Sequence, residues 1–453
     1  MGRIAIDGFT GEPLEPSDPG YDGARRLWNA MIDRRPAVIA RCRSTRDVVG
    51  AVAYARMEGL EVAVRGGGHS VSGLSSTNGG VMIDLRPMNR VVVDPEAGRA
   101  RVQGGALLGD LDRATHEHGL ATTGGMVHHT GVAGLTLGGG FGWLARMHGL
   151  ACDNLVSAEV VTAGGDVVRA SDEENPDLFW GIRGGGGNFG IVTEFEFRLH
   201  PIGPALSVQL RFAAEDGPAV LRSYRELMGS APPELCSLVG METGRGAGRL
   251  ESPSSAAREL YVWYSYVGAD LEEGERLGAP LRSVARPLAE QIDVMSYPDL
   301  QSATGDGSGP GRRHYWKGSL MWELSDAFLD AFLERGRIGG GGGIELFSLG
   351  GAISRVDEDA TAYPSRGATF DLLPAATWDD PEDDRRNVSH TRENWEALRP
   401  YVRSGVYVND LGADAEERVR EVYGTRKFER LVALKRRWDP HNTFHLNANV
   451  APR

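Results

Sequence analysis

Cysteine is scarce in this 453-residue chain. Cys42, Cys152 and Cys236 are odd in number and widely spaced, which matches neither a disulfide framework nor a metal-ligand pattern and reads as buried, reduced thiols. Positive charge is short as well: 49 Lys and Arg face 62 Asp and Glu, and the net charge of −13 argues against nucleic acid or an anionic membrane as partner, since both need basic patches. No window approaches the roughly 18 consecutive apolar residues of a membrane-crossing helix. Residues 1–19 hold no apolar run behind a basic start, so the expectation is a cytoplasmic protein. His116, His118, His128 and His129 lack a carboxylate or thiol at ligand spacing, and no metal is expected.

Glycine is what the chain has in excess. Its 62 glycines stand well above the usual share of about 7% and gather at turns. The run Val62–Arg65 is apolar and β-branched and leads into Gly66, Gly67, Gly68, His69 and Ser70. Such a loop is either ordinary flexible chain or a nest of N–H groups that approaches phosphate oxygens closely. Two further clusters follow, Gly138–Gly142 and Gly184–Gly190, so one cofactor with a long phosphate backbone could touch all three.

The rest of the chain reads in order. An amphipathic stretch covers Ala24–Ile32, a strand Pro36–Ala40, and a helix opens at Ser44 and closes at Gly59. Strands are expected at Val81–Leu85, Val91–Asp94 and Arg99–Gln103, then a helix over Leu107–His118. Thr122–Gly142 is too glycine-rich for a stable helix and suits a backbone that wraps a ligand. Trp143–His148 reads as a short helix, Ser157–Thr162 and Val167–Ala170 as a hairpin, and Ile191–Leu199 as a strand. Beyond Pro204, strands at Leu206–Phe212, Leu260–Val267 and Leu346–Ser354 alternate with helices at Pro218–Met228, Leu271–Leu277 and Ser325–Gly336, which suggests a second α+β domain of antiparallel sheet covered by helices. Gly339–Gly343 reads as a mobile loop without a ligand, and a basic helix Phe428–Trp438 precedes an Asn-rich tail.

Five segments in this order, VRGGGHSVSG, TGVAGLTLGGGFGWLAR, DNLVSAEVVTAGGDVV, NPDLFWGIRGGGGNFGIVTEFEF and KRRWDPHNTFHLNANV, resemble the berberine-bridge-enzyme-like branch of the vanillyl-alcohol-oxidase flavoproteins. The resemblance implies an α+β architecture: a PCMH-type FAD-binding domain of two α/β subdomains over residues 24–202, a substrate domain over 203–425, and a segment over 426–453 that returns to the FAD domain. It implies FAD bonded through its 8α carbon to His69. Val127 stands where many members carry a second, cysteinyl link, so that link is not expected here. The backbone of Gly66, Gly67, Gly68 and Ser70 would hold the pyrophosphate, and Arg65 would be a further cofactor-binding residue. Gly131, Gly134, Gly138, Gly139 and Gly140 would pass along the ribityl chain and ring, with Asp153, Asn154, Gly190 and Ile191 near the adenine half and Asn447 and Asn449 reaching in from the tail. Any one of these glycines could instead serve only a tight turn.

The same resemblance implies an oxidase that takes a hydride from a C–H next to an alcohol or amine of a small molecule and passes the electrons to O2, giving hydrogen peroxide. Glycine at Gly125 would leave room for O2. A base is also needed. Tyr407 matches the family's site tyrosine, although Asp410 replaces the second aromatic of that motif. Asp371 lies on a strand expected to face the flavin, but Leu373 stands where some members carry the carboxylate or amide. Either residue could be the base, and Asp371 could equally be a solvated strand carboxylate. Tyr315-Trp316-Lys317 reads as pocket wall or core, and His148 as a neighbour of the flavin. The alternatives are a dehydrogenase or oxidative cyclase with another acceptor, and a non-catalytic flavoprotein. A free-NAD dehydrogenase lacks support, because no Gly-x-Gly-x-x-Gly turn follows the first strand.

Overall fold

The computed structural model describes residues 6–243, 250, 258–303, 309–338, 342–403, 405–412 and 415–453. The first sheet runs in the order β1 (Glu12–Leu14), β2 (Val38–Arg41), β4 (Val81–Asp84), β3 (Val62–Arg65). Its last three strands are parallel and β1 closes the edge antiparallel, upstream of the expected domain start at residue 24. Parallel strands need crossovers, and the helix Thr45–Glu58 supplies one. Ser44 caps it by accepting from the Asp47 N–H, and Gly59 ends it at φ 64°. Val48, Val52 and Ala55 are all buried, so the helical spacing seen in the sequence is the face that packs on the sheet.

The second sheet is antiparallel, ordered β5 (Val91–Asp94), β6 (Arg99–Gln103), β10 (Ile191–Arg198), β8 (Leu155–Val161), β9 (Val167–Ser171). A two-stranded ladder of β7 (Leu120–Ala121) and β11 (His200–Pro201) lies beside it. The third sheet has eight antiparallel strands: β15 (Ala289–Met295), β12 (Ala205–Ala213), β14 (Arg258–Tyr266), β13 (Leu235–Thr243), β18 (Gly342–Ser348), β19 (Phe370–Trp378) and β16 (Arg313–Trp316) in that order, with β17 (Ser319–Met321) also on β19. Helices Gly217–Ser230 and Asp326–Arg337 bury Tyr224, Phe328 and Phe332 against Val208, Leu210 and Leu346 on one face of this sheet. Its other face buries Trp263 and Leu238 against Trp143 and Leu144 of the glycine-rich region. Strands covered on both faces read as continuous apolar runs, which is the texture of β12 and β14. The fold is thus α+β, with two smaller sheets on one side and the large helix-covered sheet on the other.

Several local expectations change. The amphipathic stretch Ala24–Ile32 is helical only at Ala24 and Arg25, the end of a helix over Tyr21–Arg25. Val132–Leu137 is helical despite its glycine-rich setting, because Val132 and Ala133 dock in the core around the second sheet. The strand expected over Leu346–Ser354 stops at Ser348: Gly350 and Gly351 take φ 82° and 58° and turn the chain into the helix Ala352–Arg355. Of the glycine run expected as a loop, 339–341 fall outside the described residues, whereas Gly342 and Gly343 belong to β18. The terminal helix runs Ala415–Trp438 with a break at Gly424, and Val406, Val408 and Val419 already lie in the core of the second sheet. The return to that core therefore begins well before residue 426.

Candidate active site

A cavity of about 1380 Å³ lies between the glycine loops of the smaller sheets and the face of the large sheet. β3 ends at Arg65, and the next five residues, Gly66–Ser70, form one wall. The backbone N–H groups of Gly67, Gly68, His69 and Ser70 donate to nothing within the described protein. Two loops meet here backbone to backbone: a Cβ on Gly67 would sit 2.4 Å from the Gly131 nitrogen, and a Cβ on Gly131 equally close to the Gly67 nitrogen. Only glycine allows that approach, and it leaves a row of unsatisfied donors facing the cavity. Arg65 does not join them. It is buried beneath the loop, its guanidinium donates to the Ala24 carbonyl, and burial lowers its pKa to about 10.

His69 is held in a stack of rings. Trp28 lies 4.0 Å from it, nearly parallel, and His314 covers the other side of Trp28 at 3.6 Å. Asn29 fixes that arrangement by donating to the Val71 and His314 carbonyls while accepting from the His314 N–H. His69 Nε2 is 3.2 Å from His129 Nδ1, so one ring donates to the other. Burial, with smaller contributions from His129 and His314, lowers the His69 pKa to about 3, so the imidazole is neutral. Trp28 and His314 escaped the sequence reading because nothing local marks them; their partners lie far away in the chain. Trp316 also lines the cavity, whereas Tyr315 accepts from Arg392 and Lys317 sits over Trp395.

Gly125, Val127, Gly131 and Gly134 line the cavity, but Gly138, Gly139 and Gly140 do not. Those three lie behind the wall. A Cβ on Gly138 would strike Asn409 at 2.2 Å, and one on Gly139 would strike Tyr363 at 2.6 Å. The Gly140 N–H donates to the Tyr407 hydroxyl at 3.0 Å. The cluster thus positions Tyr407 and Asn409. Asn409 donates to the same hydroxyl at 2.7 Å and to the Leu135 carbonyl at 3.1 Å. With two donors on its oxygen, Tyr407 has its own proton left for the cavity that it lines. Burial, and next the charge of Asp410, raise its pKa, so it stays protonated.

The large sheet contributes carboxyl groups. In the register of β18 and β19, Phe347 faces Asp371 and Glu345 faces Leu373, and all four line the cavity. Asp371 is 1% exposed, and apart from the Asp410 carboxyl no donor among the described residues reaches either of its oxygens. Its neighbour is the carboxyl of Asp410, whose Oδ2 is likewise without a donor. Burial pushes Asp371 well above the usual carboxylate range, and Asp410 pushes it further; burial raises Asp410 to about 7. Glu345 accepts from the Tyr261 hydroxyl at 2.7 Å, and burial raises it too.

The third glycine cluster supplies Gly186, Gly187, Gly190 and Ile191, and the tail supplies Phe444, Leu446, Asn447 and Ala448. The tail is anchored by Asn188, which donates to the Ala448 carbonyl and accepts from the Val450 N–H, and by buried Lys435, which meets Asp439 at 2.6 Å and the Phe444 carbonyl at 2.9 Å. Asn449 does not reach the cavity lining. Asp153 and Asn154 do not reach it either: Asp153 is taken by Arg366 through two bonds of 2.6 and 2.9 Å, and Asn154 by the His148 and Leu150 carbonyls. His148 stacks on His200 at 3.9 Å, away from the cavity.

The FAD binding domain family matches residues 36–171, and the berberine and berberine-like family matches residues 406–451. The chain is 32% identical to the (R)-6-hydroxynicotine oxidase of Paenarthrobacter nicotinovorans, covering 98% of this chain and 97% of that protein. It is 33% identical to the FAD-linked oxidoreductase pgmH of Aspergillus terreus over 97% of this chain and 92% of the relative. The crystal structure of 6-hydroxy-D-nicotine oxidase from Arthrobacter nicotinovorans superposes with a TM-score of 0.88 at 30% identity, covering all of both chains.

Proposed function

Since the chain belongs to the berberine-bridge-like family of FAD-linked oxidoreductases, we propose that it is an oxidase of a small molecule, with FAD attached through His69 alone and O2 as electron acceptor. The observation that carries this reading is the row of unsatisfied N–H groups at Gly67–Ser70 opening on a cavity of about 1380 Å³, with a neutral imidazole in the same loop. A pyrophosphate satisfies such donors without a counter-charge. When bound, FAD supplies a two-electron acceptor for a hydride and returns those electrons to O2 as hydrogen peroxide.

The chain's own residues account for the remaining work. Neutral His69 has a lone pair to give; in the tautomer that donates Nε2–H to His129, Nδ1 is the nucleophile and His129 is placed to carry the proton released. Val127 offers no thiol for a second link. Gly125 keeps its part of the wall open, since a Cβ there would come within 2.8 Å of Leu135. Tyr407 donates its hydroxyl proton to a substrate heteroatom, and the carboxylate that the Asp371–Asp410 pair keeps ionised is the acceptor for the proton that leaves the substrate.

The test is simple to read. Acid precipitation of the protein should give a yellow pellet, and His69→Ala should release its flavin to the supernatant; colour retained in the variant pellet refutes the assignment. Photoreduced enzyme mixed with O2 should reoxidise rapidly with one peroxide per flavin. Slow reoxidation would favour the dehydrogenase reading.

A further inference from the structure

Asp371 and Asp410 are expensive to bury as they stand. They come from different parts of the chain, β19 and the segment after Tyr407, and meet at the cavity wall, where three of their four oxygens find no donor among the described residues beyond each other's carboxyl. Carboxyl groups withdrawn from water are normally paired with a cation or hydrogen-bonded. Asp153 shows how this protein does that elsewhere, through Arg366.

Among the described residues, the charged and titratable groups around the pair do not supply an equivalent. Arg418 acts on Asp410, but it pairs with Glu421 at 3.3 Å and lies over Trp395. Lys317, next to the Gly318 that packs on Asp410, has its ammonium over the same indole at 4.4 Å. Tyr407 and Tyr363 face the pair and carry no charge, and Glu345 adds a third carboxyl on the same wall. Arg312 also lines the cavity and is paired with Asp379 at 2.7 Å. Phe141, Phe347 and Tyr407 pack together beside the carboxyls, with Phe141 4.8 Å from Tyr407 and 6.0 Å from Phe347. Acid flanked by aromatic rings is the environment that holds an ammonium group, by charge on one side and ring faces on the other.

We propose that the Asp371–Asp410 pair is the recognition point for a positively charged amine nitrogen, so that the substrates of this oxidase are amines rather than sugars or neutral alcohols. The proposal rests on the oxidase reading above. Two facing carboxyls cannot both ionise in a dry site, so the empty pair retains a shared proton, which the arriving cation replaces. Binding therefore releases a proton to solvent. Before the neighbouring C–H can be oxidised the amine must become neutral: its N–H bond breaks and a carboxyl O–H bond forms on the pair.

The experiment is calorimetric titration of the FAD-loaded enzyme at pH 7 with N-methylbenzylamine, against its neutral isostere benzyl methyl ether, in buffers of different ionisation enthalpy. The cation should bind at least tenfold more tightly and release close to one proton. Asp371→Asn and Asp410→Asn should each abolish both the preference and the release; two isosteric variants guard against one failing to fold. Equal affinities, no binding of the cation, or a preference that survives in both variants overturns the proposal. The peroxide burst of photoreduced enzyme needs no substrate. If the burst is normal while the cation fails to bind, the amine assignment falls and the oxidase reading stands.

Discussion

Asp153 and Asp371 are both withdrawn from solvent, yet Asp153 meets Arg366 in a two-point ion pair and Asp371 meets another carboxyl. The first pair ties the short helical turn Ala151–Asn154 to the segment after Tyr363, and both oxygens of Asp153 accept from the Arg366 guanidinium. The second leaves its polar atoms aimed at a cavity. Depth alone thus says little about the role of a buried acid; what matters is whether the fold itself provides the counter-charge.

That contrast can be broken first where it is strongest. Asp153→Asn strands the Arg366 guanidinium, whose side chain is 2% exposed, and should cost about 3–5 kcal/mol. Thermal unfolding should show a large drop, largely recovered by adding Arg366→Met. An unchanged transition would mean that the pair carries no stability. The unpaired site should behave oppositely. Burial raises Asp410 and Asp371 above the usual carboxylate range in the folded protein, so the folded state binds more protons than the unfolded chain from about pH 4 upward. The stability these groups contribute is complete below the unfolded-state value and lost as pH rises through the folded one. Substrate-free wild type should therefore lose stability over that window, and Asp410→Asn should flatten the slope. A slope equal in variant and wild type would refute the shared proton. Glu345 is intermediate, a carboxyl already satisfied by Tyr261, and Glu345→Gln should change unfolding by less than about 1 kcal/mol.

The sequence carried the scaffold and half of the site. The crossover helix was visible in Ser44, Gly59 and the spacing of Val48, Val52 and Ala55, because caps and one-sided burial act over a few residues. The loop Gly66–Ser70 was visible for the same reason. The role of Gly138–Gly140 was not, because three glycines look alike whether they face a ligand or admit Tyr407 and Asn409 from the far end of the chain. Trp28 and His314 were missed outright, and Asp410 was noted only as a departure from a motif. Its meaning depends on Asp371, which lies on a different element and is brought opposite only by tertiary packing.

The anchoring of the tail by Asn188 and Lys435 has a temporal side. Leu446, Asn447 and Ala448 belong to the cavity wall, yet a ribosome makes them after nearly everything else that surrounds the site. During synthesis, the sheet that ends in Gly66–Ser70 can form long before its opposite wall exists. Flavin capture, and with it the attachment proposed at His69, is therefore a late event in the life of the polypeptide, and nascent chains arrested before Asn447 should emerge colourless.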